Sequence, residues 1–167
     1  MSEPGLLFLI DHEWRPSAEQ QEPPMEALLG AWLVDDEGKP GKFQPNPVYR
    51  PLSPNSPLDP ADAVLRDIAR TGAGVEDLLT VLSDATLGIA VDHQGLALVR
   101  PAPDDEPCVL VATAFGHRRP EDSRWVDVTI RELADVLPAE GVDVLLNPGA
   151  PTSMRLTADA IRSAAGR

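Results

Sequence analysis

Val142-Asp143-Val144-Leu145-Leu146-Asn147-Pro148-Gly149 is a short apolar run that ends in a hard stop and a turn. Asn before Pro initiates the turn, and Gly tolerates a positive φ. A second apolar run, Cys108-Val109-Leu110-Val111-Ala112-Thr113-Ala114-Phe115, is the natural partner for pairing. Between the two lies an amphipathic segment, Thr129 to Leu137, with Ile130, Leu133, Ala134 and Leu137 on its apolar face. Thr129 and Glu132 have the spacing of a capping box. Strand, helix, strand is the economical reading, and it makes a core. Helices on both sides of the sheet would bury the 107–115 strand on both faces.

Upstream of this unit, Thr86 to Val91 reads as a strand, Asp92-His93-Gln94-Gly95 as its turn, and Leu96 to Arg100 as the returning arm. Pro101 to Pro107 is an acidic loop whose carboxylates, Asp104, Asp105 and Glu106, form a solvated tip. Two helices come before. Asp59-Pro60 pairs a cap residue with proline at the first helical position, and Val64, Leu65, Ile68 and Ala69 make the stripe that follows. Val75 to Ser83 repeats the pattern with Leu78, Leu79 and Leu82. Trp125 to Val128 and Met154 to Leu156 read as short strands, and Thr157 caps a last helix, Ala158 to Ala165.

The front of the chain is different. Leu6 to Ile10 and Gly30 to Val34 read as strands, and Asp35 to Lys39 as a hairpin turn leading into Gly41 to Gln44. Met25 to Leu29 fits either one helical turn or the start of a strand. Seven prolines fall between Pro40 and Pro60, and proline biases its neighbours to extended backbone. That stretch reads as a tether, either a stiff linker or a recognition peptide. The expected class is α+β: a mixed β-sheet flanked by helices, preceded by a small N-terminal β-hairpin module. The expected parts are a β module over 1–52, a Pro-rich linker over 53–60, and an α+β domain over 61–167.

Composition removes several functions. Net charge is −13 and the pI is near 4.5, so nucleic acid is not an expected partner, because phosphate binding needs clustered Lys and Arg. The acidity reads either as solubility or as a surface that meets a basic partner. Cys108 is the only cysteine, which rules out an intramolecular disulfide, and it reads as a small core residue. Leu6 to Ile10 is too short for a signal peptide, and no run reaches the roughly 18 apolar residues of a membrane span. A cytoplasmic protein with no membrane insertion is expected.

Chemistry-bearing motifs are sparse. No phosphate-cradling Gly loop, nucleophile elbow or paired zinc signature is present. Asp11-His12-Glu13 alternates across a strand, so the three side chains do not converge on one metal. Asp35 to Gly38 lacks the alternating ligands of a calcium loop. No catalytic residue, cofactor or metal is expected. The best ligand contacts are His117, Arg118 and Arg119, in the loop that leaves the 107–115 strand. They would grip an anion, or instead form a solvated loop pairing with Glu121 and Asp122. Asn147 would orient that anion. Trp14, Trp32, Phe43 and Tyr49 place four of the chain's few aromatics in the front module, as interface residues or as that module's own core.

From Asp77 onward, Leu78-Leu79, the 107–115 strand with Ala112-Thr113, Leu133 to Pro138, and Val144-Leu145-Leu146-Asn147-Pro148-Gly149 resemble the SseB-like N-terminal domain family. Phe8-Leu9-Ile10-Asp11-His12-Glu13-Trp14, Gly30-Ala31-Trp32-Leu33-Val34-Asp35 and Gly41 to Tyr49 are similar to actinobacterial proteins associated with type VII secretion, which carry both parts. The resemblance implies a compact α+β domain, a cytoplasmic setting and a genetic link to a secretion apparatus. It brings no catalytic residues. The leading expectation is therefore a non-enzymatic interaction protein that binds a secretion component or a small exported helical protein. An immunity-type binder of a basic toxin comes next, and then a small-anion sensor or enzyme using the Phe115 to Glu121 loop.

Overall fold

The computed structural model of the chain describes residues 5–120 and 124–166. The fold is α+β and divides into two compact units, Met1–Val64 and Leu65–Arg167. The boundary falls within helix α1, Pro60–Thr71. Asp59 starts that helix as read, its Oδ1 accepting from the Asp62 amide at 2.6 Å.

The first unit is a three-stranded antiparallel sheet in the order β1 (Gly5–Ile10), β2 (Leu28–Val34), β3 (Pro40–Pro45). Met25–Ala27 forms a single 3-10 turn and β2 starts straight after it, so both readings of Met25 to Leu29 hold in part. Asp35 sets the β2–β3 turn, its Oδ1 accepting from the Glu37 amide at 3.0 Å and the Lys39 amide at 2.8 Å. Phe43 is fully buried. Its ring centroid lies 4.7 Å from that of Trp32, opposite it in the register. The ring occupies the space over Gly30: a Cβ there would come within 2.4 Å of both the ring and the Gln44 carbonyl. Only glycine permits that approach.

Asp11 is the second anchor of this unit, at 1% exposure. Its carboxylate accepts from the amides of Glu13 at 3.0 Å and Leu52 at 3.3 Å. The Tyr49 hydroxyl lies 3.0 Å from Asp11 Oδ2 and 2.7 Å from the Pro57 carbonyl, sharing its one proton between them. Ser56 takes the amides of Leu52 and Ser53, each at 3.2 Å. The 53–60 segment, read as a stiff linker, is thus folded into the first unit. Proline gives it extended steps, but Ser and Asp side chains bend it back by taking its amides.

The second unit carries helix α2 (Val75–Asp84), β4 (Leu87–Val91), β5 (Val99–Pro101), β6 (Pro107–Ala112), β7 (Arg124–Val128), α3 (Ile130–Val136), β8 (Asp143–Leu146), β9 (Met154–Leu156) and α4 (Ala158–Ala164). The sheet order is β7-β4-β6-β8-β9, with β5 also on β6. The expected central pair is present: β6 and β8 run parallel, Cys108 opposite Asp143 and Leu110 opposite Leu145. Thr129 and Glu132 form the capping box, at 3.2 and 2.7 Å. The arm after Asp92 to Gly95 departs from its reading. Among the described residues its backbone bonds to β4 are the Val91–Ala97 bridge and the Leu98 amide on the Ala90 carbonyl. It then leaves β4 and pairs as β5 with the other end of β6.

Alternation splits the sheet into two different faces. Val109, Val111, Val144 and Leu146 point one way, and each is 1% exposed or less. Leu110, Cys108, Ala90 and Leu145 point the other way and pack with Ala102, Leu98 and Trp125, with no helix residue among them. Helices α2, α3 and α4 touch one another and bury Leu78, Leu82, Leu133 and Ile161 completely. They therefore cover the valine face alone. Helices on both sides were a condition of the sequence reading; here the β5–β6 loop replaces one helical layer. Among the described residues no helix is long and apolar enough to cross a membrane.

Candidate functional site

Two surfaces stand out, one in each unit. In the first, β2 pairs the inner edge of β1, and no described strand pairs its outer edge. Leu6, Leu7 and Phe8 on this outer strand are 54%, 50% and 48% exposed. Leu6 lies opposite Leu33, itself 47% exposed, and Phe8 opposite Ala31, so Leu6, Phe8 and Leu33 form one open apolar face. Leu7 faces the other way, opposite Trp32. Gly5 to Ile10 contains no charge and no proline, the two devices that usually blunt a sheet edge.

The aromatics divide. Phe43 is fully buried as a core ring, whereas Tyr49 is half-buried and spends its hydroxyl on Asp11 and the Pro57 carbonyl. Trp14 and Trp32 are half-buried. The Trp14 amide closes a turn on the Asp11 carbonyl at 3.0 Å. Burial alone pushes the Asp11 carboxyl up, but hydrogen bonds from Ser56, Glu13, Leu52 and Tyr49 outweigh it and hold the group below its ordinary value. A carboxylate fully occupied by its own chain is a structural anchor.

In the second unit the loop after β6 folds over the helix-free face. Phe115–His117 makes a 3-10 turn and places His117 half-buried. Arg118 lies flat on Gly88, where an added Cβ would stand 2.8 Å from its Nε. Arg118 pairs with Asp127, and its guanidinium sits 5.4 Å from the ring centre of the exposed Phe115. Glu121 and Asp122, the expected partners, lie outside the described residues. Arg119 turns the other way. Its carbonyl accepts from the Trp125 indole at 3.1 Å, and its side chain runs along Gly149.

There Arg119 lines a cleft of about 370 Å³ with Arg100, Leu110, Leu145, Gly149 and Ser153. No Asp or Glu lines it among the described residues. Ser153 is held away from chemistry, its hydroxyl donating to the Leu146 carbonyl at 2.8 Å. Asn147 is not a ligand contact. It is fully buried at a positive φ of 49°, which Asn tolerates better than most residues. Its Oδ1 accepts from the Thr113 amide at 2.9 Å, its Nδ2 donates to Thr113 Oγ1 at 3.0 Å, and its own amide donates to the Val111 carbonyl at 2.7 Å. That bonding ends β6 at Ala112, short of the expected Phe115.

Cys108 is buried beside Asp143. Burial, then the Asp143 charge, pushes its thiol up, which disarms it as a nucleophile. Asp143 is occupied by Arg155 at 2.6 Å and by the Ala158 amide at 2.8 Å. The residues that sequence reasoning missed are the open β1 face and Arg100. An uncharged apolar run in an outer strand was the available signal for the first. Arg100 had none, because only its register opposite Cys108 brings it to the cleft. Comparison with protein-family models, with curated proteins and with solved structures finds no match for this chain.

Proposed function

We propose that the chain is a non-enzymatic, cytoplasmic interaction protein that holds an extended segment of a protein partner along the outer edge of β1. On the resemblance to type VII secretion-associated proteins, the partner is a secretion component or an exported protein. The observation that carries the reading is β1 itself: an open backbone edge with large apolar side chains on both faces. An added strand gains main-chain hydrogen bonds from such an edge and specificity from alternate side chains. Charge supports a basic partner, since residues 1–64 hold eleven acidic against four basic side chains.

The test is pull-down of the neighbouring gene products with the natural chain and with Leu6→Lys/Phe8→Lys. Both positions are exposed, so the variant keeps its fold, and partner capture falls at least about tenfold, or 1.4 kcal/mol. An unchanged partner set sinks the reading. The same acid surplus suits the runner-up, capture of a basic toxin. Such a complex weakens steeply with salt, whereas a strand held chiefly by backbone bonds and apolar contact weakens only modestly.

A further inference from the structure

We infer that, where no foreign strand is present, the outer edge of β1 takes the β1 of a second copy of this chain, antiparallel about a two-fold axis at Leu7. The inference rests on the reading of β1 as an edge that accepts a strand, and it names a rival occupant for that edge. Both pairings within the first unit are antiparallel, so an antiparallel addition continues the sheet in its own pattern. The β1–β2 register is regular from Gly5 to Leu9 and shifts between Leu9 and Ile10. Leu7 is the midpoint of that regular stretch. A two-fold axis there sets Leu7 against Leu7 of the second copy on one face, and Leu6 against Phe8 on the other. All three side chains are about half exposed. Every cross-strand pair at the seam is then apolar, and no charge meets its like.

The assembly closes at two. The far edge of the sheet, β3, begins at Pro40 and ends at Pro45, and proline brings no amide to a ladder. One isologous seam uses up β1 on both copies. The seam is also short. Six residues span about 20 Å, which buries less than the roughly 1,200 Å² of a stable interface. Residues 1–64 hold eleven acidic against four basic side chains, so two copies repel. The pair is therefore transient and yields its edge to a basic partner strand. Salt acts with opposite sign on the two occupants: screening favours the union of two acidic copies and opposes the capture of a basic partner.

Sedimentation of the natural chain over about 0.01–1 mM, at low and high salt, tests that sign. A monomer–dimer equilibrium is expected, with a Kd on the order of 0.1 mM. It tightens at least about threefold as the screening length falls from about 30 Å at 0.01 M salt to about 3 Å at 1 M. Leu6→Lys/Phe8→Lys sets lysine against lysine and stays monomeric. Val136→Lys, at an exposed position of α3, leaves the equilibrium unchanged. Leu7→Cys reads the axis. Cys108 is buried, so the new thiol is the only exposed one. Under copper-catalysed air oxidation it joins two copies about tenfold faster than Phe115→Cys, although Phe115 is the more exposed position at 82%. A chain that is monomeric at every concentration and salt, a dimer that survives Leu6→Lys/Phe8→Lys, or a Leu7→Cys rate no greater than that of Phe115→Cys overturns self-pairing. The partner reading is then judged by its own pull-down. Self-pairing through β1, with a partner set indifferent to Leu6→Lys/Phe8→Lys, upholds the inference and sinks the partner reading alone.

Discussion

Strands β2 and β4 carry nearly the same local text. Leu29-Gly30 stands near the start of one and Leu87-Gly88 at the start of the other, and they close on Val34-Asp35-Asp36-Glu37-Gly38 and Val91-Asp92-His93-Gln94-Gly95. The turns are built alike: Asp92 Oδ1 takes the amides of Gln94 and Leu96 at 2.8 and 3.0 Å, as Asp35 takes those of Glu37 and Lys39. Each early glycine leaves a notch. A phenylalanine ring fills the notch at Gly30, and a guanidinium paired with Asp127 fills the one at Gly88. One notch thus founds a core and the other a charged face. A local signal can specify a hairpin and a vacancy, but the nature of the surface depends on a residue further along the chain.

The sharpest way to break this comparison is Phe43→Ala. Emptying a fully buried aromatic site costs about 3–5 kcal/mol. Amide exchange in β2 accelerates accordingly, while β4 keeps its protection. Equal loss in both strands would mean that the two notches are not independent.

Next in size is the glycine pair. Gly30→Ala sets a methyl against a buried ring and a backbone carbonyl, and costs about 3 kcal/mol. Gly88→Ala meets the end of a flexible side chain that can swing aside, and costs about 1 kcal/mol, because the Asp127 half of the pair it disturbs is exposed. Urea midpoints of the two variants check the difference, and similar midpoints would refute it.

The third test contrasts the buried polar anchors. Asp11→Asn removes a charged acceptor of several hydrogen bonds and costs about 2 kcal/mol at neutral pH. The Asp11 carboxyl titrates lower in the fold than the ordinary value it has in the unfolded chain. Its contribution is therefore complete above that value and lost as pH falls through the lower folded one. The first unit of the natural chain weakens on acidification, and Asp11→Asn shows a shallower acid limb. Asn147, the uncharged anchor of the second unit, contributes no such slope. Urea midpoints of β2 and β6 exchange at pH 7 and pH 3 measure both.

Much of the fold was legible because it rests on short-range rules. The apolar runs of β6 and β8, the Thr129–Glu132 box and the Asp59-Pro60 helix start are each written within a few residues. The bends of the 53–60 segment come from Ser56, Tyr49 and Asp11, up to 45 residues apart in the chain, and no short-range pattern marks them. β5 was placed on the wrong neighbour because a three-residue strand carries no mark of which edge it will join. Of the named contacts, only Arg119 reaches the cleft. Phe43 and Asn147 were chosen for residue type, and the interior uses those types as readily as a surface does.

The side chain of Asn147 takes the place of one further rung between the two parallel strands. Because both backbones part company at that amide, it works as a rivet from which the 114–120 and 148–153 excursions diverge. Lengthening or recasting either excursion leaves the sheet beneath undisturbed, so the loops above it are free to change without redesign of the body that carries them.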